Sequence, residues 1–353
     1  MKALLLAGGK GTRLWPISKS QTPKQVVSPF GDQQNLLQLT ISRTLEIGFN
    51  AKDLFLVTAQ NQENILKQYW DETQLNEIIS EPEAKNTAPA ILLATKKLLE
   101  LNTDPNEVIY VFPSDHYMID FELDLSIDCS DKIFCFRIIP TRAETGYGYI
   151  KTETNNTISK VKQFTEKPNL ETAEAWYNDW LQFPKNNQQD KYFWNSGIYA
   201  FSLNSLGLAL EQIDPNLYQL WKSTTYQEFK EQYSKLLTIP FDKFVAERAH
   251  NLYSAPLLAK TWRDVGTWQS VYEALASTNS QENIHVGLGQ SIYTSDTNSC
   301  LINSDKNITI ACAGVQNLAV IVSGDNILIL DKKNPQAMQE IIIQLQKNHK
   351  DLI

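Results

Sequence analysis

The residue types best suited to chemistry cluster near the start of the chain. Gly8, Gly9 and Gly11 follow the apolar run Ala3–Ala7; Thr12 and Arg13 come next, and Lys24 follows in Thr22-Pro23-Lys24-Gln25. Glycines let a backbone turn sharply and offer its N–H groups to an anion. Arg13 adds a planar cation able to grip phosphate oxygens in bidentate fashion, and Lys24 adds a second positive charge. The pattern describes a loop that handles a nucleotide. Two common phosphate loops do not fit it. A P-loop needs Ser or Thr after Gly-Lys, whereas Lys10 is followed by Gly11. A dinucleotide fingerprint needs a third glycine where Leu14 stands. A plain glycine turn is the alternative for the glycines alone, and the attached Thr12, Arg13, Pro23 and Lys24 weigh against it.

Other residues depend more on context. Asp115, in Pro113-Ser114-Asp115-His116, sits where a strand gives way to a loop, and Asp264 lies between Trp262 and Trp268. Each has the composition of a cap or turn residue as much as that of a metal ligand. Glu166-Lys167-Pro168 alone reads as a solvated turn. Asn195 offers both a donor and an acceptor, and Gly148 lets the chain pass close to a ligand.

The elements around these residues point to an α/β fold. Strand-like Leu4–Leu6, Leu54–Thr58 and Val108–Phe112 alternate with helix-like Leu36–Ile47, Gln62–Trp70 and Ala88–Leu101. Strands separated by such helices imply βαβ units and a parallel sheet, whose ligands lie at the carboxyl ends of the strands. The glycine loop and Pro113-Ser114-Asp115 then face one crevice. Asn86 or Thr87 caps the helix that follows, Pro89 sits in its first turn, and Lys96 and Lys97 are expected to face water. From Ile133 to Phe201 the pieces are shorter, more β-like and rich in aromatics, as if inserted over the crevice. Pro184–Asp190 reads as a surface loop, Phe201–Leu237 as helical and Ser277–Asn283 as a linker. Beyond it, Gln290–Thr294, Ile308–Ala313, Leu318–Ser323 and Ile327–Leu330 are β-like. Asn334–Lys347 is an amphipathic helix with Met338, Ile341, Ile342 and Leu345 on one stripe, expected to pack within the chain.

Composition narrows the class. A chain of 353 residues with 42% hydrophobic and 20% charged residues is ordinary for a globular protein. The net charge of −8 argues against broad nucleic-acid binding, so anionic ligands must be met by a local cation cluster. Cys129, Cys135, Cys300 and Cys312 lack metal-site spacing and read as reduced thiols. No apolar run approaches the roughly 18 residues of a membrane span. A cytoplasmic location is expected, with no nucleic acid or membrane partner.

The sequence resembles the sugar-1-phosphate nucleotidyltransferases, in particular the mannose-1-phosphate guanylyltransferase branch. The resemblance is carried by Gly8–Ser18, Pro23-Lys24-Gln25, Glu81-Pro82 with Asn86–Ala90, Pro113–His116, Pro140–Ile150, Phe164–Pro168, Trp194–Gly197 and Trp262–Trp268, in family order. It implies a Rossmann-like catalytic domain at 1–276, with a mixed, mainly parallel sheet. It also implies a small β-rich domain at 284–353, resembling a left-handed β-helix and ending in a helix. The implied reaction joins GTP and mannose 1-phosphate into GDP-mannose and pyrophosphate with Mg²⁺. Arg13, Lys24, Asp115 and Asp264 would be catalytic, the two aspartates holding the metal and His116 supporting them. Leu6, Ala7, Gly8, Gly9, Gly11, Thr12, Glu81, Asn86, Thr87 and Ala88 would bind the nucleotide. Gly148, Glu166, Lys167 and Asn195 would bind the sugar phosphate, and a homodimer or higher homo-oligomer is implied.

Two departures from the resemblance stand out. The segment from His116 to Pro140 is short for the family, with an acidic, weakly helical Asp120–Asp131 in it. Ile239–Glu247 replaces a family segment while keeping Asp242 and Glu247, and is read as a pocket wall without a catalytic role. Longer members carry an isomerase domain that this sequence lacks, so that second activity is not expected. The rival readings are another sugar or base, a non-catalytic regulator that binds nucleotide-sugar, and an oligomerisation scaffold, which would fit only residues 284–353.

Overall fold

The computed structural model describes residues 1–353 except 10, 32–33, 72, 153–157, 183–190, 278–281, 289–290, 350–351 and 353. Lys10, the proposed loop Pro184–Asp190 and the middle of the Ser277–Asn283 linker therefore lie outside the described residues. The first third runs β1 (Lys2–Leu6), α1 (Leu36–Glu46), β2 (Leu54–Ala59), α2 (Gln60–Leu66), β3 (Ile78–Glu81), α3 (Thr87–Glu100) and β4 (Ile109–Pro113). Strands β3, β2, β1 and β4 lie side by side, all parallel. Ala3, Leu4 and Leu5 are fully buried, as an apolar strand covered by helices on both faces must be. β3 escaped the sequence reading because it is four residues long and half polar.

Helix α3 starts where expected, with the Asn86 side chain accepting from Thr87 N–H at 2.8 Å. Ile91, Leu92, Leu93 and Leu98 are buried in the main core, each worth ~1.5–3 kcal/mol of apolar burial. Lys96 departs from expectation. Its outer face is covered, and its Nζ reaches the Lys222 carbonyl at 3.4 Å. Lys97 is partly exposed and pairs with Glu100 at 3.0 Å.

The middle runs β5 (His116–Glu122), β6 (Ile133–Ile138), β7 (Gly148–Thr152), β8 (Ser159–Lys160), β9 (Gln163–Glu166), α4 (Leu170–Leu181) and β10 (Lys191–Phe201). It continues with α5 (Leu203–Ile213), α6 (Pro215–Ser223), α7 (Tyr226–Glu231), β11 (Leu252–Pro256), β12 (Leu258–Asp264) and α8 (Trp268–Ala276). β10 joins the sheet antiparallel to β4 and carries β6 and β7, while β9 extends from β7. Asp120–Asp131 contains no helix. β5 runs to Glu122, then Asp124 accepts from Ser126 N–H and Asp128 from Ser130 N–H. Aspartates bonding two residues on favour turns over helix, and Ile127 and Cys129 tuck into the core instead.

The remainder is β-rich: β13 (Ile284–Gly287), β14 (Ser291–Ser295), β15 (Leu301–Ser304), β16 (Thr309–Ala313), β17 (Leu318–Ser323), β18 (Asn326–Asp331) and the closing α9 (Pro335–Asn348). β13, β15 and β17 stack in parallel, as do β14 and β16. One coil lies on the next, as in a β-solenoid. Met338 and Ile342 of α9 are buried while Ile341 is exposed, so most of the stripe packs within the chain. Leu14, Trp15, Val265 and Trp268 share a core cluster with Ile284, Leu301, Met338 and Ile342. The glycine-loop region and the C-terminal strands are thus packed together.

Candidate active site

The crevice opens at the carboxyl ends of the parallel strands. A cavity of about 430 Å³ there is lined by Leu6, Gly8, Gly9, Gln25, Glu81, Asn86, Thr87, Asp115 and Asp242, among others. Ala7 lies beneath it, fully buried, with its N–H on the Val57 carbonyl. Gln25 is buried and its Nε2 donates to the Gly9 carbonyl at 3.1 Å, which fixes the loop. Gly11 and Thr12 are not on the cavity wall. Gly11, at φ +63, instead lets the loop close on Lys24, where a Cβ would stand 2.1 Å from the lysine Cβ.

Lys24 is the centre of the charged cluster. Its Nζ lies 2.9 Å from Asp115 Oδ2 and 3.4 Å from Asp264 Oδ1. The two aspartates meet because β12 pairs antiparallel with β5 in a register that sets Asp264 opposite His116. Ligand atoms of Asp115, His116 and Asp264 all lie within 4.8 Å of one another. Burial pulls the Lys24 ammonium down, but Asp115 and Asp264 outweigh it and hold it above its ordinary value. Burial pushes Asp115 up, yet Lys24 and His116 hold it below the usual range. Burial keeps His116 low, and its ring meets Trp262 edge-on with centroids 5.4 Å apart.

A second cavity of about 370 Å³ adjoins this cluster, lined by Arg13, Arg142, Lys167, Asp264 and Gly266, among others. Arg13 is exposed at its mouth, in a short 3₁₀ turn over Thr12–Leu14. Asp115 thus borders the first cavity and Asp264 the second.

The proposed sugar side is assembled by β7, β9 and β10. Gly148 is opposite Glu166 in the β7–β9 pair, where a Cβ would stand 2.8 Å from Glu166 Oε2. Glu166 Oε1 pairs with Lys167 Nζ at 2.9 Å, and the Glu166 N–H donates to Glu247 Oε1. Burial and the nearby Asp242 push the Glu166 carboxyl up. Asn195 Nδ2 donates to Asp242 Oδ1 at 2.8 Å and to Tyr199 Oη at 3.0 Å, and the Tyr199 hydroxyl donates to the same Asp242 oxygen at 2.5 Å. The Asn195 amide thus turns its nitrogen to Asp242 and Tyr199 and its oxygen away from them. Among the described residues its buried Oδ1 has no partner.

At the opposite end, Glu81 accepts a short hydrogen bond from the Tyr233 hydroxyl, and its other oxygen lies 3.1 Å from where a Gly8 Cβ would be. Burial raises its carboxyl. Thr87 Oγ1 accepts from Phe241 N–H. Ala88 is not on this wall. It is buried, and its N–H donates to the Ile239 carbonyl at 3.2 Å, because the second helical residue turns inward beneath the cap.

The family model for nucleotidyl transferases matches residues 2–281, which includes every residue of this cluster. The chain belongs to the nucleotidyl transferase family. Its relatives within that family are similar over nearly its whole length. It is 29% identical over 367 aligned positions to a mannose-1-phosphate guanylyltransferase of Salmonella muenchen, covering 99% of this chain and 74% of the relative. It is 30% identical to one from Klebsiella pneumoniae, covering 98% and 74%. A structure described as a mannose-1-phosphate geranyltransferase from Thermus thermophilus matches with a TM-score of 0.81 at 26% identity, over 98% of this chain and 99% of that one.

Within this nucleotidyl transferase the structure adds residues that the sequence reading passed over. Asp242, read as plain pocket wall, orders Asn195 and Tyr199. Tyr233 holds Glu81, and Gln25 holds Gly9. Gln25 had a signal in its place beside Lys24, and Tyr199 in its place on the same strand as Asn195. Tyr233 had none, since it arrives from beyond α7.

Proposed function

We propose that this enzyme transfers a guanylyl group from GTP to mannose 1-phosphate, giving GDP-mannose and pyrophosphate. One observation carries the reading. Two carboxylates distant in sequence share the Lys24 ammonium at the junction of two cavities, one suited to a nucleoside and the other walled by cations. Near-full-length similarity to guanylyltransferases supports the choice of base and sugar.

The reaction needs no general base, because the attacking sugar-phosphate oxygen is already an anion. It forms a bond to the α-phosphorus while the bond to the β-phosphate oxygen breaks and pyrophosphate leaves. The task is to gather polyanions and to stabilise the charge spread over the transition state. Arg13 faces the leaving pyrophosphate. Lys24 meets the α-phosphate, with Asp115 and Asp264 fixing its position. Lys167 holds the sugar phosphate, while Glu166 and the Asn195 carbonyl accept from sugar hydroxyls. Gly8 and Gly9 bring backbone against the nucleotide, whose base lies towards Glu81, Asn86 and Thr87.

The donor set suits a hard divalent cation, with carboxylate oxygens of Asp115 and Asp264 close enough for modest rotation to bring both onto one ion. Mg²⁺ held by these two would supply charge neutralisation at the reacting phosphates. His116, whose imidazole burial holds below its ordinary value, supports the cluster from beside Asp115.

Residues 1–276 would form the catalytic unit and 284–353 the β-rich unit. Tyr293, Ile327, Ile329 and Ile343 are exposed on the latter and favour its use in a homo-oligomer. No helix among the described residues is long and apolar enough to cross a membrane, and the four cysteines are unpaired, in keeping with a cytoplasmic enzyme. Pyrophosphate release across a matrix of nucleoside triphosphates and sugar 1-phosphates, with and without Mg²⁺, tests the reading. The highest kcat/KM is expected for GTP with mannose 1-phosphate. Preference for UTP or dTTP would replace the assignment, and no release from any pair would favour a non-catalytic binder.

A further inference from the structure

The C-terminal unit reaches the active site. Lys332 and Lys333, just past β18, line the same cavity of about 370 Å³ as Arg13, Lys167 and Asp264. Lys332 is committed to structure. It is buried, with its Nζ on the Ser299 carbonyl and 4.1 Å above the Tyr272 ring. Lys333 is exposed, and its backbone is held in place. Asp331 Oδ1 accepts the Lys333 N–H at 3.0 Å, and the Asp331 carbonyl accepts the Asn334 N–H at 2.9 Å.

The turn that holds Lys333 and the turn that holds Arg13 belong to one packed body. Met338 and Ile342 of α9 cluster with Leu14 and Trp15. Trp15 Nε1 donates to the Leu352 carbonyl at 2.9 Å, and Trp268 Nε1 donates to the Trp15 carbonyl at 3.0 Å.

Charge on the wall points to an anion. Its cations are Arg13, Arg142, Lys167, Lys332 and Lys333, against Glu144, Asp264 and Glu273. Glu144 and Glu273 both pair with Arg142, and Asp264 faces Lys24. Among the described residues neither Arg13 nor Lys333 has a carboxylate partner. In a chain of net charge −8, this is a local excess of positive charge beside the reacting centre.

We propose that Lys333 binds the β- and γ-phosphates of the triphosphate, and pyrophosphate in the reverse direction, so that the C-terminal unit completes the site within one chain. The proposal rests on the nucleotidyl-transfer reading above. Lys333 acts as a point charge on the wall of the cavity that Arg13 also lines, and the two would hold the leaving group together.

The test uses the full chain and compares Lys333→Ala, Lys333→Arg and a control, Lys347→Ala, which removes the same charge from the exposed side of α9. Initial rates are taken in the reverse direction with GDP-mannose and pyrophosphate. Lys333→Ala should raise KM for pyrophosphate about tenfold, leaving KM for GDP-mannose within about twofold; Lys333→Arg should restore most of the loss, and Lys347→Ala should match the parent. An unchanged KM for pyrophosphate, or an equal rise for both substrates, overturns the proposal. Calorimetric titration with inorganic pyrophosphate alone separates the two readings. If the parent chain turns over neither substrate pair, the functional reading fails. Lys333 then stands if its alanine variant still binds pyrophosphate more weakly, and falls if the two bind alike or the parent does not bind.

Discussion

Gly11 and Lys24 touch so closely that a Cβ on the glycine would stand 2.1 Å from the lysine Cβ. The glycine of the signature loop is therefore a spacer for the lysine that joins the two aspartates. Gly11→Ala would have to push Lys24 aside, and its φ of +63 strains any larger residue. We expect a loss of ~2–4 kcal/mol in stability from overpacking and backbone strain, and at least ~10-fold in kcat. Urea denaturation and initial rates check both; a variant with parental stability and kcat would show that the contact is relaxed at no cost.

Lys24→Met removes the charge that Asp115 and Asp264 share. Turnover should fall by roughly 10²–10³-fold, as for the loss of a preorganised charge at a reacting phosphate. Without the competing ammonium, the carboxylate pair should bind a divalent cation more tightly in the absence of nucleotide. Calorimetric titration with Mg²⁺ reads this directly, and weaker cation binding in the variant would contradict the arrangement.

What was legible in the sequence is what short-range patterns encode. The apolar run before Gly8, the helix cap at Asn86 and the alternation of strands and helices gave the parallel half of the sheet and the crevice. The meeting of Asp115 with Asp264 followed from the resemblance alone, since the register that joins them, Asp264 opposite His116, is a long-range pairing. Partners that arrive from elsewhere in the chain were missed for the same reason. Tyr233 on Glu81 and Asp242 on Asn195 leave no spacing to read. Lys96 was misplaced because periodicity cannot say that a second layer of helices covers the outer face of α3. Asp120–Asp131 was misjudged because Asp-x-Ser turns outcompete a weak helix.

Tyr199→Phe deletes a hydroxyl that donates to Asp242 beside Asn195. The Asn195 amide loses one of the two groups that fix its rotation. KM for the sugar phosphate should rise several-fold and more than KM for the nucleotide, whose cavity Tyr199 and Asp242 also line, and stability should fall by ~1–3 kcal/mol because Asp242 keeps a partly buried oxygen with one donor fewer. Equal changes in both KM values would mean that this trio does not belong to the sugar side.

Glu81 gives the protein a pH signature. Burial raises its carboxyl above the ordinary 4.5, so the folded state holds a proton that the unfolded state has already released. Stability from this group is greatest below the unfolded value and declines as pH rises through the raised folded value, then levels off. Glu81→Gln should flatten that decline, so the difference in urea midpoint between variant and parent should grow in the variant's favour as pH rises above about 4.5. A difference that stays constant over that range would place Glu81 in water.

The most direct test of the whole account is pyrophosphate release from GTP and mannose 1-phosphate, with Mg²⁺ present, by the parent chain and by Asp264→Asn. The substitution keeps the shape of a half-exposed side chain and removes the charge facing Lys24. The account predicts turnover by the parent and a loss of at least ~10³-fold in the variant, with the same thermal transition. Undiminished turnover in Asp264→Asn would contradict it.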